Sequence, residues 1–227
     1  EFISGFTGSA GTVVVTRDKA GLWTDSRYYL QAADQLEGSG IELFKSGLPG
    51  IPSHAAWLAS ELAASGKGRD SDRSVGYDRS VGYDGMTLSE GDIRDLEKVL
   101  SPKGIGLSDA GDLLDPFWEG RPSLPDFPVY EHGTEYAGES RGEKLARTRE
   151  EMARRDVDYH LIASLDDIAW LLNLRGSDVS YNPLFYAYLV AGGSEVLLFI
   201  DRKKVKDSLA SLLEAEGIRI LPYAEVF

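Results

Sequence analysis

Two segments have the residue types and spacing of reactive or binding loops: Gly5-Phe6-Thr7-Gly8-Ser9-Ala10-Gly11-Thr12 and Trp23-Thr24-Asp25-Ser26-Arg27-Tyr28. The glycines of the first fall as GxxGxxG, whereas a dinucleotide fingerprint reads GxGxxG and a phosphate loop carries a lysine behind its glycines. The run also precedes a valine-rich strand instead of joining a strand to a helix, so it gathers no N–H groups at a helix N-terminus. A structural turn is the preferred reading. Arg27 is the sharper case. With Asp25 read as a helix cap, Arg27 falls in the first turn, where the helix dipole disfavours a cation. Compensation comes either from a local salt bridge with Asp25 or Asp34, or from an anion outside the helix, such as a carboxylate gripped by the guanidinium at two points.

The remaining polar residues offer no reactive cluster. The chain has no cysteine and three histidines, which excludes a thiolate nucleophile, a disulfide framework and sulfur-based zinc sites. His54, His132 and His160 stand singly, with no second ligand at i+2, i+3 or i+4, so no metal ligand and no catalytic residue is assigned. Asp166 and Asp167 are neighbours, about 100° apart on a helix, and cannot face each other as an acid/base pair; helix capping is their assignment. Asn173-Leu174-Arg175-Gly176 reads as a helix stop, with Gly176 left-handed and Arg175 favoured by the C-terminal dipole. The loop that follows, through Tyr181, Asn182 and Pro183, has the polarity of a cleft rim.

The elements that position these residues alternate between strand and helix, an α/β class. Thr12–Thr16, Gly21–Thr24 and Ile41–Lys45 read as strands. Tyr29, Ala32, Ala33 and Leu36 form one helical face, Pro52 opens a helix to Ala64, and Leu88–Leu100 is another helix, stopped by Pro102. Between these lies a duplicated hexad, Arg73–Asp78 and Arg79–Asp84, read as one strand plus a loop extension. A sequence irregularity is the alternative. Proline and glycine mark Glu119–Gly138 as a linker, giving domains 1–132 and 133–227.

In the second domain Ser140 and Glu143 form a capping box, and Glu143/Arg147, Glu150/Arg154 and Glu151/Arg155 form i, i+4 pairs. Tyr159–Ala163 is a strand, Ser164 and Asp167 are a second capping box before helix Ile168–Leu174, and Phe185–Val190 with Glu195–Ile200 is a hairpin. Helix Val205–Leu213 and strand Ile218–Leu221 complete it.

Length and charge bound the class. The 227 residues favour two domains over one. A formal charge of −13 disfavours sequence-independent nucleic-acid binding, which relies on cations. No apolar run approaches the length of a membrane span, and no signal peptide opens the chain. Cytoplasmic location fits the lack of cysteine.

Taken together, Phe2–Thr12, Leu22–Ala33 and Leu165–Asp178 resemble the N-terminal portion of the Xaa-Pro aminopeptidases (aminopeptidase P) in their three-domain form, over essentially the whole chain and weakest from Gly66 to Gly85. The resemblance implies two related creatinase-type N-terminal domains, each a mixed sheet flanked by helices, ahead of a catalytic third domain. The first would lack its opening strand and helix, and the second would be incomplete at its C-terminus. The family removes an N-terminal residue ahead of proline with two divalent metal ions, usually manganese, held by two Asp, one His and two Glu of that third domain. This chain itself would hold no cofactor.

By the same resemblance Arg27, in a Trp-Thr-Asp-Gly-Arg-Tyr type motif with Ser26 in place of the glycine, contacts substrate. Asp25, Tyr28, Asn173 and Arg175 become cleft or interdomain residues. The implied partners are a proline-containing peptide with a free N-terminus, the catalytic domain of the same polypeptide, and a second copy in a homodimer; nucleic acid and membrane are not among them. A stand-alone binding or assembly module is the alternative from another class. Relatives that cleave dipeptides or creatine share the fold but usually carry one such N-terminal domain.

Overall fold

A computed structural model describes residues 1–64 and 79–227. The chain forms two compact units, Glu1–Arg121 and Pro122–Phe227. The division falls earlier than residue 132. The amide of Val129 donates to the carbonyl of Lys204, and Tyr130–Glu131 pairs antiparallel with Leu174–Arg175, so this part of the proline-rich stretch is bound into the second unit.

In the first unit β1 (Thr12–Val15) pairs antiparallel with β2 (Ala20–Thr24), and β2 pairs in parallel with β3 (Ile41–Lys45). Helix α1 (Tyr29–Gln35) makes the β2–β3 crossover. Period-two alternation along β2 divides its side chains between two cores. Leu22 joins Phe6, Ala32 and Leu36 on the α1 side. Trp23 points the other way, stacks on Phe44 at 4.1 Å and joins Trp57 and Leu58 of α2 (His54–Ala64). This second core continues to Leu96 and Leu100 of α3 (Glu90–Leu100) and to Ile105, the first residue of a later strand. β4 (Arg79–Tyr83) and β5 (Ile105–Asp109) form a separate parallel pair. The second hexad is therefore strand; the first lies outside the described residues.

Local chemistry explains the helix starts. Ser89 and Asp92 make a reciprocal capping box on α3, and the Ser53 hydroxyl, one residue after Pro52, accepts the Ala56 amide at the head of α2. The α1 face differs from the expected one. Ala32 and Leu36 are buried, with Tyr28 packed beside them, while Ala33 is exposed.

In the second unit β6 (Tyr130–Glu131) and a short α4 (Thr134–Ala137) lead to α5 (Arg141–Arg154), which opens on the Ser140/Glu143 box. Strand β7 (Tyr159–Ile162), helix α6 (Leu165–Leu171) and β8 (Leu174–Arg175) follow. β9 (Tyr188–Gly192) and β10 (Val196–Phe199) form the hairpin, and α7 (Asp207–Ala215) crosses to β11 (Ile218–Leu221). The sheet runs β11-β10-β9-β7, with only β10 and β11 parallel. The hairpin begins at Tyr188, later than its apolar run, because Phe185 and Ala187 are core residues outside the ladder.

Of the expected i, i+4 pairs only Glu151/Arg155 forms as an ion pair. Glu143 is held by Ser140, so Arg147 takes Glu139 instead, and Arg154 takes Glu151. The second capping box is not made. The Ser164 hydroxyl donates to Asp166 at 2.6 Å and makes no bond to a helix amide, so Asp166 and Asp167 favour the helix only as first-turn anions.

Candidate functional site

The two segments with reactive-looking composition meet in the first unit. Gly5, with φ +68°, turns the chain so that Phe6 drops into the α1 core. The following residues then run over α1. The Thr7 amide donates to Gln35, the Ser9 hydroxyl is 2.6 Å from the Tyr28 hydroxyl, and Thr24 donates to the Ala10 carbonyl at 2.6 Å. Gly8 is required by packing: a Cβ there would lie 2.2 Å from the Phe6 ring. The GxxGxxG run is thus a structural wrap that holds the β2–α1 turn.

That turn carries Asp25, Arg27 and Tyr28. Asp25 does not cap α1, whose N-cap is Tyr28 without a side-chain bond. Its carbonyl instead accepts the Tyr28 amide at 3.1 Å, and its Oδ1 accepts the Arg27 amide at 3.0 Å. Arg27 consequently precedes the helix instead of lying in its first turn, which removes the expected dipole penalty. Its guanidinium closes a two-point pair with Asp25, Nε to Oδ1 at 2.9 Å and Nη2 to Oδ2 at 2.7 Å. Its Cζ also lies 5.1 Å from the centre of the Tyr28 ring. Asp34 is not the partner.

The pair is solvent-facing, with the Arg27 side chain 65% exposed. Such ion pairs stabilise a fold little, because water screens them. What the arrangement supplies is orientation. One edge of the guanidinium is fixed by Asp25 and one face lies toward Tyr28. Nη1 makes no hydrogen bond among the described residues. Such an arginine can donate to a carboxylate or carbonyl oxygen with little ordering cost.

The electrostatics follow from these contacts. The Arg27 guanidinium holds the Asp25 carboxyl below its usual range, and the Ser9 hydrogen bond lowers the Tyr28 phenol. In a carboxylate titration followed by NMR, Asp25 should titrate below 3.8. Arg27→Ala should move it up toward that value. An unchanged midpoint in the variant would remove Arg27 as the cause.

Asn173 and Arg175 are adjacent in sequence but serve different contacts. Asn173 takes the left-handed conformation at φ 50°. Gly176 does not, and is needed for close approach, since a Cβ there would lie 2.7 Å from that of Phe185. Asn173 is buried: Oδ1 accepts Lys144 Nζ at 2.7 Å and Nδ2 donates to the Glu139 carbonyl at 2.8 Å. Lys144 is itself buried, donates to the Trp170 carbonyl at 2.8 Å and lies 4.4 Å from the centre of the Trp170 ring. Burial pushes its ammonium below the ordinary lysine range. Arg175 donates to the Ala169 carbonyl at 2.7 Å and so satisfies a helix-end acceptor.

Three further buried charges, Arg141, Lys204 and Asp178, were not legible in the pattern. Arg141, on the buried face of α5, donates to the Leu172 carbonyl and to Glu131 and Glu216. Lys204 pairs with Asp178 at 2.6 Å, both side chains nearly inaccessible. Asp178 Oδ2 also accepts the Tyr186 amide, while Oδ1 is buried without a partner. The available signal was helical spacing, which sets Arg141 and Lys144 in line with Leu145 and Met152. Spacing alone does not tell a buried cation from one reaching past the core to water.

The histidines are separate as well: His54 packs edge-on toward Trp23, His132 toward Tyr136, and His160 lies in β7. Among the described residues no group of three His, Asp or Glu is placed to hold a metal. No described helix is long and apolar enough to cross a membrane.

Comparison with known proteins extends this description. Residues 1–115 and 120–227 each match a creatinase/prolidase N-terminal domain. A probable Xaa-Pro aminopeptidase P of Laccaria bicolor is 40% identical over 100% of the chain, which spans 33% of that protein. Aminopeptidase P2 of Arabidopsis thaliana is 39% identical over 99% of the chain, which spans 30% of it. An X-prolyl aminopeptidase crystal structure from Caenorhabditis elegans, described as a cytosolic enzyme with a di-nuclear active site, superposes with TM-score 0.86 at 35% identity, covering 99% of this chain and 35% of that one. The chain thus spans about a third of the length of these relatives. With one domain match over residues 1–115 and a second over 120–227, it belongs to the creatinase/prolidase N-terminal domain family and carries that domain twice.

Proposed function

We propose that this chain is the non-catalytic N-terminal part of a metal-dependent Xaa-Pro aminopeptidase, one that releases an N-terminal residue preceding proline. In this reading its two domains shape access to the active site and contribute to dimer contacts in a cytoplasmic enzyme. The supporting observation is the oriented, exposed guanidinium of Arg27, in a chain alignable end to end with aminopeptidases of this type. Arg27 contacts the peptide substrate, and Asp25 and Tyr28 hold it in position. Asn173 and Arg175 keep the second domain's surface in shape for contact with other domains. The two divalent ions, manganese in this reading, belong to a catalytic domain outside these residues and supply the hydrolytic chemistry there.

The test compares this 227-residue chain with the longer polypeptide encoded by its gene. The longer protein with manganese should cleave Xaa-Pro peptides, and the chain alone should not. Arg27→Ala in the longer protein should lower kcat/KM by roughly 10- to 100-fold, the scale of one lost charged hydrogen bond. Chelator-sensitive turnover by the 227-residue chain, or unchanged kcat/KM in Arg27→Ala, would contradict the proposal.

A further inference from the structure

The loop between β8 and β9 is held more firmly than a surface connection requires, and its tip carries a large side chain that the fold does not use. Tyr181 is fully exposed, at 105% of its reference accessibility. Among the described residues its hydroxyl makes no hydrogen bond and its ring no aromatic or cation contact. It also lies in the left-handed region, at φ 65°, where a bulky side chain is an outlier. Asn182, of a type that tolerates this conformation, is next in sequence and does not take it. Strain of this kind persists only where the surroundings over-determine the backbone.

Two layers of contacts fix it. Across the loop, the Gly176 amide donates to the Pro183 carbonyl at 3.2 Å, the Asp178 amide to the Leu184 carbonyl at 2.9 Å and the Asn182 amide to the Val179 carbonyl at 3.2 Å. Val179 and Asn182 also form a bridge just below the tip. Beneath these, Asp178 of one stem accepts the Tyr186 amide of the other at 2.7 Å and pairs with Lys204 in the interior. A buried ion pair is a poor way to stabilise a fold, because packed apolar groups of similar volume do as well or better. What this pair does is define one conformation, since it ties both stems to the segment that follows β10. A ring held out on so rigid a support loses little freedom on contact, which is the property of an interface anchor.

We propose that Tyr181 is a specificity-determining contact for the peptide substrate, its ring packing against the ring of the proline. This rests on the peptidase reading above. The neighbours Ser177, Val179, Ser180, Asn182 and Pro183 are uncharged, so the tip addresses an apolar group and not an ion. In substrates of that class the leading residue varies, and the proline ring is the one apolar group that all of them share. Aromatic side chains are what protein surfaces commonly use to recognise proline in extended peptides. Arg27 differs in kind, because its guanidinium addresses an oxygen.

The test measures discrimination by the longer polypeptide encoded by the gene, with manganese: the ratio of kcat/KM for an Xaa-Pro peptide to that for the matched Xaa-Ala peptide. Tyr181→Gly should lower this ratio by about three- to tenfold, the scale of one aromatic packing contact, chiefly by raising KM for the proline peptide. Tyr181→Phe, which keeps the ring, should leave it unchanged. Glycine also relieves the left-handed backbone, so exchange of the β9 amides in the 227-residue chain should slow by about five- to thirtyfold. Lower discrimination in a more stable protein is a combination that a merely structural tyrosine would not give. Absence of Xaa-Pro cleavage by the wild type would overturn the peptidase reading and this inference with it. Cleavage with the ratio unchanged in Tyr181→Gly would overturn this inference alone. So would a glycine variant that destabilises the longer protein with its ratio intact, which assigns the ring to a contact between domains.

Discussion

Lys204→Met should destabilise the second unit by about 3–5 kcal/mol, the range for stranding one partner of a buried ion pair. Lys204 and Asp178 are both shielded from water, and Asp178 Oδ1 already lacks a hydrogen-bond donor. Without the ammonium the carboxylate would retain only the Tyr186 amide, in surroundings that cannot solvate it. A domain's whole stability is on the order of 5–15 kcal/mol, so much of it would be lost. Exchange of the β9 and β10 amides reads this unit separately from the first. It should speed up by about a hundred- to several-thousand-fold, at tenfold per 1.4 kcal/mol. Adding Asp178→Asn should restore part of the loss, because the stranded charge is gone. A single variant with less than roughly tenfold effect, or a double variant worse than the single, would refute this account.

Asn173→Ala should cost about 3 kcal/mol, from two separable sources. The first is the loss of both amide hydrogen bonds, one from the buried Lys144 ammonium and one to the Glu139 carbonyl. The second is backbone strain, since alanine is disfavoured at φ 50°. Asn173→Gly removes only the hydrogen bonds and should recover about 1 kcal/mol of the loss. Equal costs for alanine and glycine would exclude the backbone contribution.

The same site fixes a sign for pH dependence. Burial lowers the Lys144 pKa below 10.5 in the folded protein, so in that window the unfolded chain binds more protons and stability rises with pH. Asn173→Ala, which takes away an acceptor of the ammonium, should steepen the rise. Lys144→Met should abolish this site's share of it. The comparison is between unfolding profiles of wild type and variants as pH approaches 10.5 from below.

Much of the element order was written locally. Val13–Val15 and Leu22–Trp23 are apolar runs that suit strands, Ile218–Leu221 alternates an exposed Arg219 with apolar neighbours, and Ser89 and Ser140 start helices with partners three residues away. Where two local rules competed, the pattern misled. Asp25 satisfies the residue preference for an N-cap, but its carboxylate gains more from the Arg27 guanidinium and amide. Gly176 is the usual left-handed residue, yet Asn173 turns first because Lys144 and the Glu139 carbonyl reward its amide in that position.

The sequence by itself determined the α/β order, the acidic and cysteine-free character, and the three motif segments that identify the family. These rest on residue type and short-range spacing, which act within a turn or a strand. Only the tertiary structure decided that the glycine run wraps Phe6 and reaches Tyr28, that Arg141, Lys144 and Lys204 lie buried with distant partners, and that among the described residues β7 is paired on one side only. Such facts depend on contacts between residues far apart along the chain, where burial strengthens electrostatics and the fate of a charge is set by what happens to pack against it.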